Sequence, residues 1–160
     1  MNRHAYVVAT AFLVILGSGC ATQQTAGDGR YDASAMTADR PDTRQYVPTA
    51  NLPDIHFDFD KYEIRSDAAK TLDSSARWLK SNTKALVLIE GHADERGTTE
   101  YNLSLGERRA KAAVSYLVSQ GVDARRFAVV SFGEDKPQCQ QHNAACWAKN
   151  RRAHFLFKSE

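Results

Sequence analysis

Residues 51–160 are expected to form one α/β domain of the α+β sandwich kind, with elements in the order βαβαβ followed by a last strand. Three observations predict it. Leu86-Val87-Leu88-Ile89 is a nearly unbroken aliphatic run of strand length. Two longer stretches, on either side of that run, repeat Leu and Ala at helical spacing. Short apolar runs ended by glycine or by the chain terminus supply the remaining strands.

Ile55-His56-Phe57-Asp58-Phe59 alternates apolar and polar side chains and reads as the first strand. Residues 65–81 place Leu72, Ala76 and Leu79 on one helical face, with Ser66 as the expected N-cap. Residues 85–90 read as a strand covered on both faces, hence central in the sheet, and Gly91 ends it. A polar loop over 92–97 leads to Thr98 or Thr99 as N-cap of a helix that runs to about residue 120, with Gly121 at its C-terminal cap. Leu105, Ala110, Ala113 and Leu117 form its buried face. Residues 127–132, stopped by Gly133, and residues 154–157 complete the strands.

Ahead of this domain lie two segments of different character. Residues 1–19 carry Arg3, an apolar run from Ala5 to Leu16, and then Gly17-Ser18-Gly19 before Cys20, the layout of an export signal. The run falls short of the roughly 20 apolar residues that a membrane-spanning helix needs. Small residues before a cysteine resemble the bacterial lipobox, although the place usually held by Leu is Gly17, with Leu16 one further out. That resemblance implies a diacylated Cys20 as first residue of the mature chain, and Ala21 in place of an Asp implies the outer membrane. Each buried acyl methylene contributes about 0.8 kcal/mol, so several chains make a permanent anchor. Residues 20–50 are rich in Thr, Gln, Asp, Gly and Arg and read as a flexible tether that can hold a periplasmic domain away from the bilayer.

Removing Arg3 with the signal leaves 20 Lys and Arg against 19 Asp and Glu, a balance that excludes a nucleic-acid binder driven by phosphate contacts. Cys139 and Cys146 read as one short-loop disulfide in an oxidising compartment, whose closure is worth about 2.5 kcal/mol on a chain-entropy estimate. His142 between them raises a metal site as the alternative, but metal sites of this kind have tighter cysteine spacing, and no metal or cofactor is expected.

Asp94 lies in Gly91-His92-Ala93-Asp94-Glu95-Arg96-Gly97, a loop that leaves a buried strand and enters a helix, where ligand sites of α/β proteins often form. By composition alone these acids fit better as decoration of a solvated loop before a helix dipole. The stretch from Glu90 through Tyr101-Asn102-Leu103-Ser104-Leu105-Gly106-Glu107-Arg108-Arg109-Ala110 resembles the OmpA-like domain family, in its peptidoglycan-associated lipoprotein group. Phe57-Asp58-Phe59-Asp60, Ser131-Phe132-Gly133-Glu134-Asp135-Lys136-Pro137 and Trp147-Ala148-Lys149-Asn150-Arg151-Arg152 resemble it too, in the same order, so the likeness covers residues 55–157.

The resemblance implies helices packed on one four-stranded mixed sheet, and recognition of diaminopimelate in uncrosslinked peptidoglycan stem peptides. That side chain ends in a zwitterion. Carried over residue by residue, Asp94 takes its ammonium and Arg109 its carboxylate, with Phe57, Asp58, Asn102 and Arg152 around them. Arg108 reads as an exposed helix residue pairing with nearby glutamates. Two departures stand out: the cysteine pair within residues 138–146, and Ala153-His154 in place of a valine and an acidic residue. The implied role is an outer-membrane lipoprotein that holds the envelope to the wall and supports its integrity and division. A hub for the Tol system's periplasmic proteins is the alternative. A wall hydrolase is the other, because His92 near a carboxylate suits a general base, yet no activated Ser or Cys accompanies it and the histidines are scattered singly.

Overall fold

The computed structural model describes residues 43–159. The export signal, Cys20 and the tether up to residue 42 lie outside the described residues. Among the described residues no helix is long and apolar enough to cross a membrane.

The strands are β1 (Val47–Pro48), β2 (Ile55–His56), β3 (Ala85–His92), β4 (Phe127–Gly133) and β5 (Arg152–Ser159), and the helices are α1 (Ser66–Ser81), α2 (Thr99–Ser119) and α3 (Ala144–Asn150). Three helices thus pack with an open, mixed sheet of five strands in the order β1-β5-β3-β4, with β2 also on β5. β3 runs parallel to β4 and antiparallel to β5, with Ile89 opposite Val129 on one side and Phe155 on the other. The aliphatic run is therefore central, as its sequence implies.

Val87, Ile89, Phe127 and Phe155 from the sheet meet Leu72, Ala76 and Leu79 of α1 and Ala110, Ala113 and Leu117 of α2 in one buried cluster. Leu88, alternating to the opposite face, is equally inaccessible. α2 lies tightly on β3 through glycine. A Cβ on Gly91 would sit 1.8 Å from the Gly106 carbonyl oxygen, so backbone meets backbone there.

Several elements differ from expectation, each for a local reason. α1 begins at Ser66 itself, with Arg65 as N-cap and no side-chain cap; the Arg65 guanidinium instead grips Asp67, whose charge in the first turn suits the helix dipole. The first strand stops at His56, because the chain turns away and Asp60 takes a left-handed conformation at φ 57°. The sheet has five strands and not four, since the two-residue β1 pairs Val47 with Phe157. Val47 and Pro48, within the segment read as tether, pair with Phe157 and Leu156 of β5. α3 falls between the expected strands at 127–132 and 154–157, where the sequence assigns no element. Thr98 is the N-cap of α2, accepting from the Tyr101 amide, and Gly121 follows its end at φ +89°.

Gly91→Ala should destabilise the domain by about 3 kcal/mol, because neither backbone can yield without lifting α2 from β3. Urea unfolding compared with the native chain measures it.

Candidate functional site

β3 ends at His92, and the loop that follows returns as α2; this crossover places Asp94 just beyond the sheet and Arg109 three turns along the helix beneath it. A cavity of about 230 Å3 opens there, lined by Phe59, Asp60, Asp94, Arg96, Gly97, Tyr101, Asn102, Leu105 and Arg109. That is smaller than the roughly 300–1,000 Å3 of sites for drug-sized ligands, and it suits one amino-acid-sized group.

Asp94 is 4% exposed and saturated with donors. Its Oδ1 accepts from the Arg96 amide and Nε, each at 3.1 Å, and its Oδ2 from Arg96 Nη2 at 2.6 Å and Arg151 Nη1 at 3.1 Å. Burial pushes the Asp94 carboxyl up, but the bonds from Arg96 and Arg151 outweigh it and hold the pKa below the usual range. Arg96 in turn lies between two rings, 3.8 Å from the Phe59 centroid and 4.3 Å from that of Trp147.

Arg109 is 0% exposed and forms the floor of the cavity. Its Nε donates to the Lys61 carbonyl at 2.8 Å, its Nη1 to the His92 carbonyl at 2.9 Å and its Nη2 to the Asp58 carbonyl at 3.1 Å. The Phe57 ring lies 5.2 Å from the same guanidinium. Burial lowers the Arg109 pKa to about 10, which leaves it positive at neutral pH. Two of its five N–H groups are not used by these three bonds.

α3 and its disulfide brace the acidic loop. Cys139 and Cys146 are bridged, with Cα atoms 5.0 Å apart, and Asn150 brackets Cys139 by bonding both its amide and its carbonyl. Trp147 Nε1 donates to Glu95 at 2.7 Å, and His142 Nδ1 lies 2.6 Å from the other Glu95 oxygen. These two contacts hold the Glu95 carboxyl below its ordinary range. His142 thus serves the loop.

Of the expected site residues, Asp94, Arg109 and Asn102 come together in the cavity wall. Asn102 is anchored there by its Nδ2, which donates to Glu134 at 2.7 Å. Phe57 is a core residue under Arg109, and Asp58 turns its carboxylate to Arg65 at 3.0 Å while lending only its carbonyl to Arg109. Arg152 is not in this cavity. It opens β5 opposite His56, with Nε 3.4 Å from Asp54, and its neighbour Arg151 reaches Asp94 instead. Arg151 caps the end of α3 and Arg152 is the first residue of β5, so the two adjacent side chains leave from different elements. Phe59, Asp60, Arg96 and Tyr101 were not singled out, although Phe59 and Asp60 stand in a motif already noted. The Tyr101 hydroxyl donates to Asp60, tying the loop after β2 to α2.

Arg152 belongs to a second charged group with Asp54, Glu90, His92 and His154. His92 is 1% exposed, stacks on Phe132 and lies 3.6 Å from Glu90; it does not line the cavity, so it is not placed as a general base there. Burial lowers its pKa. His154 behaves oppositely: its Nδ1 lies 2.6 Å from Asp54, and that bond raises its pKa.

The chain is thus an α+β domain whose small cavity joins a buried carboxylate, Asp94, to a buried guanidinium, Arg109. Residues 56–151 match the OmpA family, and the chain belongs to that family. It is 40% identical over 158 residues to the peptidoglycan-associated lipoprotein of Mesorhizobium japonicum, spanning 96% of this chain and 91% of that one. The counterpart from Brucella melitensis is 42% identical over 147 residues, 89% of this chain and 85% of the relative. The crystal structure of the peptidoglycan-associated lipoprotein from Burkholderia pseudomallei superposes with a TM-score of 0.64 at 41% identity, covering 66% of this chain and 89% of that one.

Two predictions follow from these contacts. Arg109→Lys should cost about 3 kcal/mol of stability, because one ammonium cannot reach three diverging carbonyls and leaves buried acceptors unpaired; chemical denaturation measures it. The raised pKa of His154 means its contribution is full below the ordinary histidine value of about 6.5 and is lost as pH rises through the folded value. His154→Gln should therefore flatten the fall in stability as pH rises above about 6.5 in urea titrations.

Proposed function

We propose that this domain is a non-catalytic receptor for the free zwitterionic end of diaminopimelate in peptidoglycan stem peptides. One observation carries the reading: Asp94 and Arg109, a carboxylate and a guanidinium, share the wall of a single cavity of about 230 Å3. A zwitterion needs both signs of charge a few ångströms apart, and a lone anion or cation needs only one. Asp94 takes the ammonium, Arg109 draws the carboxylate from the floor, and Asp60 with Asn102 borders the opening.

In this reading Cys20 carries the lipid that fixes the chain in the outer membrane, and the segment after it reaches toward the wall. A single small site binds weakly. Many copies confined beside a polymer that presents many stem peptides gain effective concentration, so the envelope is held through individually weak contacts.

A protein partner of the Tol type is the second reading, favoured by a particular feature of the surface. Phe59, Tyr62, Tyr101 and Leu103 are exposed, and Arg108 stands over the rings of Tyr62 and Tyr101 at 5.4 and 5.7 Å. Tyrosine and arginine dominate the energetics of protein interfaces. Phe59 and Tyr101 also line the cavity, so such a partner would compete with the wall.

Co-sedimentation of the chain from Ala21 onward with purified sacculi tests the receptor. Asp94→Asn, which keeps the shape and removes the charge, should reduce binding about tenfold or more at unchanged fold by circular dichroism. Free diaminopimelate should release the native chain. Sedimentation that is equal for both chains and indifferent to diaminopimelate would sink the assignment and move the protein partner to first place.

A further inference from the structure

Asp94 has no acceptor position to spare. A carboxylate offers about four lone-pair sites, and Asp94 already receives three bonds from Arg96 and one from Arg151. An incoming ammonium can reach it only by displacing one of these guanidinium groups. Arg151 is poorly placed to leave: its side chain is 14% exposed and its Nε also donates to the Phe57 carbonyl at 2.9 Å. Arg96 is 35% exposed, lines the cavity, feels the nearby Glu95 charge, and otherwise rests on the flat faces of Phe59 and Trp147. A guanidinium can slide between two rings and keep its stacking, because attraction to a ring face is weakly directional in the plane. The far ring is fixed, since Trp147 is tied to Glu95.

We propose that Arg96 determines specificity by exchange: it occupies Asp94 in the free protein and yields that carboxylate only to an ammonium that arrives with a carboxylate of its own. This rests on the wall-receptor reading and deepens it. Three guanidinium groups, Arg96, Arg109 and Arg151, stand against two carboxylates, Asp60 and Asp94, in and behind the cavity. A plain amine adds a further positive charge and takes from the displaced Arg96 the one carboxylate it bonds. A zwitterion adds no net charge, and its carboxylate receives the displaced guanidinium. Discrimination between the two is thus a repulsive device against the wrong ligand as much as an attraction to the right one. A wall peptide with lysine in the place of diaminopimelate is such a wrong ligand, because its side chain ends in the ammonium alone.

The test uses two synthetic N-acetylated stem tetrapeptides that differ only at the third residue, diaminopimelate in one and lysine in the other. Calorimetric titration of the mature chain should show the diaminopimelate peptide bound about tenfold tighter or more. In Arg96→Gln the diaminopimelate peptide should weaken about tenfold while the lysine peptide binds as well as before or better, so the preference collapses. Arg96→Lys, which restores a charge without the fork, should regain part of it. A native-like preference retained in both variants overturns the role of Arg96 and leaves the receptor standing. A native chain that binds neither peptide overturns the receptor itself, and one that binds both alike overturns the exchange.

Discussion

Arg109 is a cation without access to water, and the domain is arranged so that this is tolerable. Three carbonyls, from Asp58, Lys61 and His92, converge on its guanidinium, and the Phe57 ring lies beside it. Those carbonyls belong to separate parts of the chain: the loop after β2 and the end of β3, both reached from the middle of α2. A buried charge with a full set of acceptors is costly to disturb from any side. The two loops that frame the cavity are therefore set in position by one side chain, and the depth at which that side chain sits is set by the glycine contact between α2 and β3. Fold and site share the same atoms.

From this anchor outward the arrangement is a succession of charge pairs. Asp94 is held by Arg96 and Arg151, Arg96 by two rings, Trp147 by Glu95, and Glu95 by His142 inside the loop that the disulfide closes. α3 supplies Trp147, and Arg151 follows at its end. The helix buries little apolar surface, Cys146 being its only buried hydrophobic residue. Its worth lies in what it holds at the mouth of the cavity, and the bridge and the Asn150 clamp on Cys139 replace the core that so short a helix lacks.

That contrast also explains what could be read from residues alone. α1, α2 and β4 carry long apolar patterns and stand within a residue or so of where those patterns put them, whereas β3 runs through the stop expected at Gly91 to His92. Asp94, Asn102 and Arg109 follow from the loop and helix between them. α3 escaped because seven residues with two buried positions make no periodic signal. β1 escaped because two residues in a polar segment make none either. Asp60 escaped because its use depends on a left-handed turn, which no alternation of apolar residues announces. Arg151 and Arg152 are a harder case: only the point where α3 ends and β5 begins decides which of two adjacent arginines reaches Asp94.

The pairing of β5 has a mechanical side. Its first residue, Arg152, stands near the cavity end of the sheet, whereas Phe157, five residues on, pairs with Val47, where the chain enters the sheet. Entry point and cavity thus lie toward opposite ends of the same strand. A pull between the chain ahead of Val47 and a ligand held by Asp94 would run along the strands. The backbone bonds linking β1 and β2 to β5 would then be strained side by side in shear, so they must give way together and not one at a time. For the wall receptor proposed above, resistance would then come from the direction of pulling with no need for a tighter ligand.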